Sequence, residues 1–565
     1  MRSRLCVCIC VLAFSPVLFA QQLSPADRAA TEAAMKTIRG DAIRAHMRFL
    51  SDSLLEGRAP DSRGYQIAAR YVASELESMG LRPGGLNGTW FQPVPLRKAV
   101  LDPAKSRLEL VSNGPGANGK VQNLVDEKDY VLIGDVNHAQ NKLELPIVFV
   151  GFGVTAPEEN YDDYSGVDVR GKIVLTFYGA PPRFPTDLRA YNSDDVVKTK
   201  NALAHGAVAM LTTMLPEDWK RWPWDWDVPQ FRMGSTNWLE KTGTPHDAFP
   251  EGGLAQFSES GAAMLFAGAP KTLADAFAAA RLSQSQAFPL PWSARLHTVS
   301  TETTYDSPNI IGELVGSDPA LRDQYVVYTA HVDHLGICPP IDGDNVCHGT
   351  LDNASGVSTL LEIARAYASL KQPPRRSVLF VFVTGEEMGL LGSDYFAHSP
   401  TVPLDKIVAN VNTDGAPGLW PMTDVVALGA DHSTINKIAE SAARELGYMV
   451  SPESMPEENG FVRSDQYSFV LQGVPAVEMI DGIISKDPNF NGLAPIKKWL
   501  VTRYHTPLDN MEQPIDFDSG ARAAGLNFLV GYELAQQDQL PVWNPGDFFG
   551  TKFGPRHFAA TSAGN

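Results

Sequence analysis

The sequence predicts an α/β protein with a mixed, mostly parallel central sheet flanked by helices, and with a β-rich domain inserted into it. Near-continuous apolar runs recur after residue 305, as expected of strands buried on both faces of a parallel sheet. Helical patterns alternate with these runs, which places helices on the faces of the sheet. Before this region, after residue 95, short β-branched runs separated by turn residues predict the insert.

Length, composition and charge agree with a large globular protein. The chain has 565 residues, which suggests two or three domains, and 44% of them are hydrophobic, which excludes a disordered chain. Acidic residues number 65 and basic residues 47, for a net charge of −18. Because a surface of this sign repels phosphate backbones, we exclude a nucleic-acid partner.

The N-terminal segment has the pattern of an export signal. Arg2 and Arg4 precede an apolar run over residues 5–14 that is too short to cross a bilayer, and Ala20 precedes polar residues. We therefore expect residues 1–20 to be a cleaved secretory signal and the mature chain to be periplasmic or secreted. No membrane span would then remain after cleavage. A short membrane anchor is the alternative interpretation.

The remaining chain divides where its pattern changes. A helical pattern over residues 41–81 begins the main domain, and the region after Leu540, rich in Pro, Gly and Phe, has no clear period. We place the first part of the main domain at 21–125, the inserted domain at 126–298, the rest of the main domain at 299–540 and a C-terminal tail at 541–565.

Within the insert we expect strands at 146–151 and 172–178, a helix at 198–205 and a strand at 207–211. A window with five tryptophans follows. Because Pro223 and Pro229 interrupt it, the sequence predicts a loop there. Two hypotheses remain for the indoles: an apolar cluster that fixes a long loop, or an aromatic wall beside a substrate cleft. The five residues are Trp219, Trp222, Trp224, Trp226 and Trp238.

The main domain contains three strongly apolar strand patterns, at 324–330, 377–383 and 406–411. Helical patterns at 357–370 and 433–446 alternate with them. In open parallel sheets, ligand sites lie at the carboxyl ends of the strands. The residues that follow these strands are therefore the first candidates for function.

Ionisable residues follow these strands or lie between the predicted elements. Each has an ordinary explanation by itself; Asp352, for example, precedes a helix and could be its N-cap. Together they would place several carboxylates at one sheet edge, where they repel one another unless a cation compensates. Histidine and carboxylate ligands without thiolates suit zinc. The residues are His331, Asp333, Asp352, Glu386, Glu387, Asp414 and His505.

Two common hydrolase motifs are missing from the sequence. There is no G-x-S-x-G motif for a serine nucleophile and no HExxH motif for a zinc site on one helix. The sequence therefore supports neither a serine nucleophile on a strand-to-helix turn nor a zinc site on a single helix.

In order and spacing, these motifs resemble the di-zinc aminopeptidases of metallopeptidase family twenty-eight in clan MH. The resemblance implies a zinc exopeptidase fold over roughly 305–536 together with the helical region at 26–95. The insert resembles a protease-associated (PA) domain in three short segments. The main-domain motifs are His331-x-Asp333, Gly349-x-x-Asp352-Asn-Ala-Ser-Gly, Gly385-Glu-Glu, the Asp414 turn and Tyr504-His505-Thr-Pro.

The resemblance also implies a role for each residue. His331 and Asp414 would bind one Zn²⁺, Glu387 and His505 would bind a second, and Asp352 would bridge the two ions. Glu386 would be the general base, Asp333 would orient His331, and Tyr504 would donate to the developing oxyanion. His334 and His348 are rival ligands that we leave out of this set.

Two cysteines remain outside the predicted signal. Cys338 and Cys347 lie between the first candidate ligand and the bridging aspartate. A single pair in an exported protein is most simply a disulfide, and two free thiols are the alternative. The bridge would close a short loop beside the metals.

We expect a peptidase that removes N-terminal residues from peptides. A carboxypeptidase or dipeptidase resembling glutamate carboxypeptidase is one alternative, and Arg463 is a candidate cleft cation for it. A single-zinc glutaminyl cyclase and a non-catalytic receptor-like protein are two others. Related multidomain proteins dimerise, so a homodimer is possible.

Overall fold

The computed structural model describes residues 23–113, 119–415 and 420–554; the predicted signal and the end of the predicted tail lie outside them. It confirms the predicted fold class. The strands are β1 (Arg82–Pro83), β2 (Phe91–Leu101), β3 (Arg107–Ser112), β4 (Val121–Asn123), β5 (Tyr130–Leu132), β6 (Gln140–Phe149), β7 (Thr155–Ala156), β8 (Tyr161–Asp162), β9 (Ile173–Phe177), β10 (Ala209–Thr213), β11 (Ser235–Trp238), β12 (Ala255–Phe257), β13 (Phe288–Leu314), β14 (Tyr325–His331), β15 (Gly336–Ile341), β16 (Asp344–Cys347), β17 (Ser377–Val383), β18 (Ile407–Asn412), β19 (Asp424–Leu428), β20 (Met449–Val450) and β21 (Ala476–Asp481).

Helices cover the sheets and connect their strands. They are α1 (Pro25–Met35), α2 (Gly40–Leu50), α3 (Arg63–Ser78), α4 (Thr186–Ser193), α5 (Asp195–Ala204), α6 (Pro216–Arg221), α7 (Trp224–Arg232), α8 (Glu259–Leu265), α9 (Leu273–Arg281), α10 (Ser355–Ser369), α11 (Leu391–His398), α12 (Ile435–Glu445), α13 (Gln466–Leu471), α14 (Leu493–Thr502), α15 (Phe517–Gln536) and α16 (Phe548–Lys552).

The central sheet contains four parallel neighbours in the order β17, β14, β18 and β21. β13 pairs antiparallel with β17, and β19 pairs antiparallel with β21, so the sheet is mixed at its margins. His331 lies opposite Val383, and Thr329 lies opposite Asn412. The carboxyl ends of three strands therefore meet at one edge of the sheet.

Side chains of alternate residues pack on opposite faces of this sheet. Val326 and Tyr328 belong to a large core with α2, α3, α10, α12 and α15, whereas Val327 packs on the other face against Phe396 and Phe469. Strands with apolar residues on both faces are the pattern expected of a sheet covered by helices on both sides.

A second sheet contains the predicted strands of the insert. Its order is β4, β3, β13, β6, β9, β10, β12 and β5. The long strand β13 belongs to both sheets, because residues 288–299 pair with β6 and residues 300–310 pair with β2. β3 and β4 lie earlier in the chain than the predicted insert. The domain bounds and the resemblance to a PA domain stay predictions.

The predicted tryptophan loop is wrong, because two short helices, α6 and α7, form there. Pro216 is the first residue of α6 and Pro223 is the N-cap of α7, positions whose N–H has no partner within a helix. Pro229 lies inside α7, where it removes only one hydrogen bond of that short helix. Two of these three prolines therefore lie at helix starts, where proline is tolerated.

The described part of the predicted tail packs on the main domain. The Trp543 indole donates to the Gly473 carbonyl at 3.0 Å, and Phe549 is fully buried. His432 joins three segments, because its Nδ1 lies 2.6 Å from Asp547 and its Nε2 lies 2.9 Å from Asp187 in α4.

A search of the described residues for a helix long and apolar enough to span a bilayer finds none.

The contacts of His432 predict a pH-dependent contribution to stability. Burial by itself lowers the pKa of His432, but Asp187 and Asp547 together raise it to about 10. A histidine whose pKa is raised in the folded state stabilises fully below its unfolded pKa of about 6.5, and the stabilisation is lost as the pH rises towards 10. His432→Gln should therefore lower the thermal midpoint most near pH 6, and the difference from wild type should shrink by pH 10. A difference that is equal at both pH values would contradict this role.

Candidate metal centre

The predicted residues of the strand ends meet at one edge of the central sheet. His331 is the last residue of β14. Glu386 and Glu387 follow β17 in a single 3₁₀ turn, and Asp414 follows β18. The aligned register of these three parallel strands explains the convergence.

Asp352 and His505 reach the same place from connecting segments. Asp352 lies in the turn Thr350–Ala354, and its own N–H and that of Leu351 donate to the Asp509 carboxylate at 3.1 and 3.0 Å. The N-cap of α10 is Ala354, and it makes no side-chain capping bond. The carboxylate of Asp352 is therefore not used as a helix cap and points into the site.

The Asp352 carboxylate lies between two histidines. Its Oδ1 is 3.3 Å from Nε2 of His331, and its Oδ2 is 3.2 Å from Nε2 of His505. Asp414 Oδ1 lies 3.2 Å from the first histidine, and Glu387 Oε2 lies 3.0 Å from the second. Each histidine thus faces one oxygen of Asp352 and one oxygen of a second carboxylate.

These separations suit bound metal ions. Tetrahedral zinc with ligand bonds of about 2.0 to 2.2 Å has ligand atoms about 3.3 to 3.6 Å apart, and the four separations lie close to that range. Nε2 of His505 is buried and makes no hydrogen bond among the described residues, although two carboxylate oxygens lie beside it. A nitrogen lone pair directed between two carboxylates is the arrangement of a metal ligand.

The electrostatics of the centre also favour a cation. Burial raises the pKa of Glu386 well above its ordinary value, and Asp414 and Glu387 raise it further against the opposing effect of His331. Burial lowers the pKa of His505, but Glu387 and Asp352 reverse this and raise it to about 9. The centre therefore retains positive charge tightly, as protons or as metal.

Asp333 contacts His331 through its backbone more closely than through its side chain. Nδ1 of His331 is 3.2 Å from the Asp333 carbonyl oxygen and 3.9 Å from the carboxylate. The carboxylate accepts the N–H of Glu386 at 3.3 Å, and burial raises its pKa to about 7. Asp333 therefore positions both the histidine and the loop that carries Glu386.

Tyr504 stacks on His505 with ring centroids 3.7 Å apart. Its hydroxyl accepts a hydrogen bond from the Arg463 guanidinium at 3.2 Å. The Arg463 side chain is 40% exposed and lies 5.9 Å from the centre of the Trp222 ring. A hydroxyl and a cation are thus adjacent at the rim of the centre.

Sequence reasoning left out His334, which belongs to this site. Its Nδ1 hydrogen-bonds to Oε1 of Glu387, and its ring lies 5.7 Å from that of His505. The available signal was its position three residues after His331, just past the end of β14. His348 contacts Asp344 and the carbonyl of Ser51 instead.

Two further buried residues support the centre, and neither was among the predicted site residues. Arg58 donates to the carbonyls of Val332 and Gly349 at 2.8 and 2.9 Å, and so fixes the segments on either side of the site. Ser464 donates to Oδ2 of Asp414 at 2.5 Å. Both interactions join segments that are distant in sequence.

The predicted disulfide is confirmed. Cys338 and Cys347 are joined at 2.16 Å and connect β15 to β16. The bridged hairpin lies beside the site, since the Cys347 sulfur is 3.6 Å from the His505 carbonyl oxygen.

The tryptophan helices also reach the centre. The Trp226 indole is nearly parallel to the His505 ring, at 14°, with centroids 6.5 Å apart. Trp224 instead donates to the Glu127 carbonyl at 2.6 Å, which fixes α7 to the turn before β5 of the second sheet. One indole therefore fixes the segment and another lies beside the site, while the apolar cluster and the aromatic wall of a substrate cleft stay predictions.

Residues 309–529 match the sequence profile of Peptidase family M28. The matched region is similar to that family and includes all the predicted ligands and Tyr504, so the candidate centre lies within it.

Curated proteins to which this chain is similar are named as peptidases. It is 28% identical to "Aminopeptidase YwaD" of Bacillus subtilis (strain 168) over 244 residues, 42% of this chain and 47% of that protein. It is 34% identical over 264 residues to a "Probable zinc metalloprotease" of Pyrenophora tritici-repentis, covering 41% of this chain and 58% of that one. The alignments thus span about half the length of these relatives.

A solved structure extends the likeness in fold. The "Aminopeptidase from Aneurinibacillus sp. strain AM-1" aligns with 92% of this chain and 99% of its own, with a TM-score of 0.51 and 18% identity. At this identity the alignment shows a shared fold.

The role of Asp509 predicts a loss of stability on substitution. Asp509→Asn keeps the shape of the side chain but replaces one acceptor oxygen by an NH2 donor. Oδ2 of Asp509 accepts the Asp352 N–H and Oδ1 accepts the Gln513 side-chain amide, so one of these two buried donors loses its acceptor. We expect a cost of about 1–3 kcal/mol, measured as a lower urea midpoint in chelator. Glu512→Gln, at an exposed position three residues away, is the control. Equal midpoints for both variants would contradict the role of Asp509.

Proposed function

We propose that this chain is an exported di-zinc aminopeptidase that hydrolyses the N-terminal peptide bond of peptides. The observation that carries the proposal is the Asp352 carboxylate, which offers one oxygen to each of two histidine–carboxylate groups. His331 and Asp414 would bind one ion, and His505 and Glu387 would bind the other. The names of the similar curated proteins support the same activity.

Two zinc ions held by these residues would lower the pKa of a bound water molecule and polarise the carbonyl of the peptide bond to be cleaved. Glu386 is the general base in this proposal. It lies in the same loop as Glu387, and its Oε2 is 3.8 Å from Nε2 of His331, farther than the nearest oxygens of Asp352 and Asp414. It takes a proton from water and passes it to the leaving amine. The contact between its N–H and Asp333 fixes the loop that carries it.

Tyr504 supplies a hydrogen bond to the oxygen on which charge develops. Stacking on His505 fixes its ring, and the bond from Arg463 to its hydroxyl oxygen orients the O–H. A donor fixed in advance stabilises the transition state without reorganising during the reaction. Tyr504→Phe should therefore lower kcat more than it changes KM.

A carboxypeptidase is the second candidate, and Arg463 is the observation in its favour. An exposed guanidinium beside the centre can bind the terminal carboxylate of a peptide. The anionic carboxylates of the centre favour the opposite orientation, with the protonated α-amine of the substrate beside them. The two orientations predict cleavage at opposite ends of the same peptide.

Export to the periplasm or medium is part of the proposal and rests on the pattern of residues 1–20. The bridge between Cys338 and Cys347 supports it, because disulfides persist in oxidising compartments. Fractionation of cells that express the full chain, followed by N-terminal sequencing, tests this part. Homodimerisation stays a prediction.

Peptide trimming followed by mass spectrometry tests the activity. We expect single residues to be lost from the N-terminus of free and C-amidated peptides, and no loss from N-acetylated peptides or in the presence of a chelator. Addition of zinc should restore the peptidase activity of the protein treated with chelator. Loss of residues from the C-terminus would favour the carboxypeptidase, and cyclisation of N-terminal glutamine without cleavage would favour the cyclase. No turnover with zinc bound would contradict all three activities.

Glu386→Gln separates proton transfer from metal binding. We expect kcat to fall by about 10²- to 10⁴-fold, while the zinc content measured by mass spectrometry stays equal to that of wild type. Glu387→Gln should lower the zinc content as well. Glu512→Gln is the matched surface control. A Glu386→Gln enzyme with normal kcat would contradict the role of Glu386 as base.

A further inference from the structure

A second cluster of ligand-type side chains shares no residue with the M28 centre. His246 follows β11, and Asp394 and His398 lie one turn apart on α11. Each of the three offers one ligand atom, and these atoms all lie within 4.8 Å of one another. The proposed mechanism uses none of them.

The contacts inside the cluster resemble those of the main centre. Nδ1 of His398 is 3.2 Å from Oδ1 of Asp394, and Nε2 of His246 is 3.8 Å from Oδ2 of the same residue. Asp247 adds a further carboxylate oxygen 3.1 Å from Nε2 of His246. Two imidazole nitrogens and one or two carboxylates form a ligand set typical of zinc.

The surroundings of the cluster supply the contacts that orient metal ligands. Nδ1 of His246 lies 2.6 Å from Oε1 of Glu240, so the carboxylate fixes the ring with Nε2 directed at the cluster. The Trp238 indole donates to Oδ2 of Asp394 at 2.7 Å and stacks on His246 with centroids 4.0 Å apart. A carboxylate on the far nitrogen of a histidine is a recurrent feature of zinc sites.

The solvent exposure and the charge of the cluster are also suitable for binding a divalent cation. The His246 side chain is 16% exposed and that of His398 is 33% exposed, so an ion can enter and a water molecule can complete its coordination. Lys200 lies 2.6 Å from Asp247 and neutralises that carboxylate. Asp394 is then the carboxylate available to an ion, and one divalent cation would be compensated by Asp394 and the nearby Glu240.

We propose that His246, Asp394 and His398 form a second zinc site, distinct from the M28 centre. His246 binds through Nε2 and Asp394 through a carboxylate oxygen. His398 binds through Nδ1, which in this structure lies 2.9 Å from the Asp394 carbonyl oxygen and releases that contact on binding. The ion would tie the segment after β11 to α11 and so stabilise the contact between the Trp238 region and the main domain.

Zinc stoichiometry tests the site in the full mature protein. Wild type, His246→Gln, His398→Gln and the control His297→Gln are stripped with chelator, dialysed against buffered zinc and analysed by mass spectrometry. We expect His246→Gln and His398→Gln each to bind one equivalent of zinc less than wild type, and His297→Gln to bind as much zinc as wild type. Peptidase activity should persist in all four proteins. Equal zinc in all four would show an ion-pair network only and overturn the proposal.

A second pair of variants keeps the test independent of the M28 centre and of misfolding. A protein with His331→Gln and His505→Gln should retain one tightly bound zinc, which His398→Gln added to that background should remove. Zinc should raise the thermal midpoint of the first protein by several degrees and leave that of the second unchanged. Absence of bound zinc from the first protein, with its circular dichroism equal to wild type, would also overturn the proposal.

Discussion

Carboxylates crowd one edge of the central sheet, and their mutual repulsion must be offset by the residues packed around them. Parallel strands in register place their carboxyl ends side by side, so acidic residues that follow them cannot move apart. Histidines, buried hydrogen-bond donors and, in the proposed function, two cations offset the repulsion. The carboxylates are those of Asp333, Asp352, Glu386, Glu387 and Asp414.

The supporting structure is built to keep this edge rigid. Arg58 fixes backbone on two sides of the site, Asp509 holds the turn before α10, and Ser464 holds Asp414. Each uses a buried hydrogen bond between distant segments, whose loss would leave a polar group without a partner. The precision of the site therefore depends on packing of the whole main domain around the sheet.

The second sheet and the main domain are connected covalently and through side chains. β13 continues from one sheet into the other, and α7 places Trp226 beside His505 while Trp224 holds that helix to the turn before β5 of the second sheet. The proposed zinc site at His246 would add another link close to β11. A helix that contacts the second sheet thus also lies beside the metal centre.

The α/β class, the strands β14, β17 and β18 and the family motifs could be predicted from the sequence, because apolar periodicity and motif spacing are local properties. The disulfide could be predicted because one cysteine pair remains outside the predicted signal. The sequence did not show that Asp352 faces both histidines, that His334 contacts Glu387, or that Arg58 and Asp509 support the site. The tertiary structure also replaced the predicted tryptophan loop with helices, since a proline at a helix start costs no hydrogen bond. Contacts between distant segments depend on how the chain packs, and no spacing along the sequence records them.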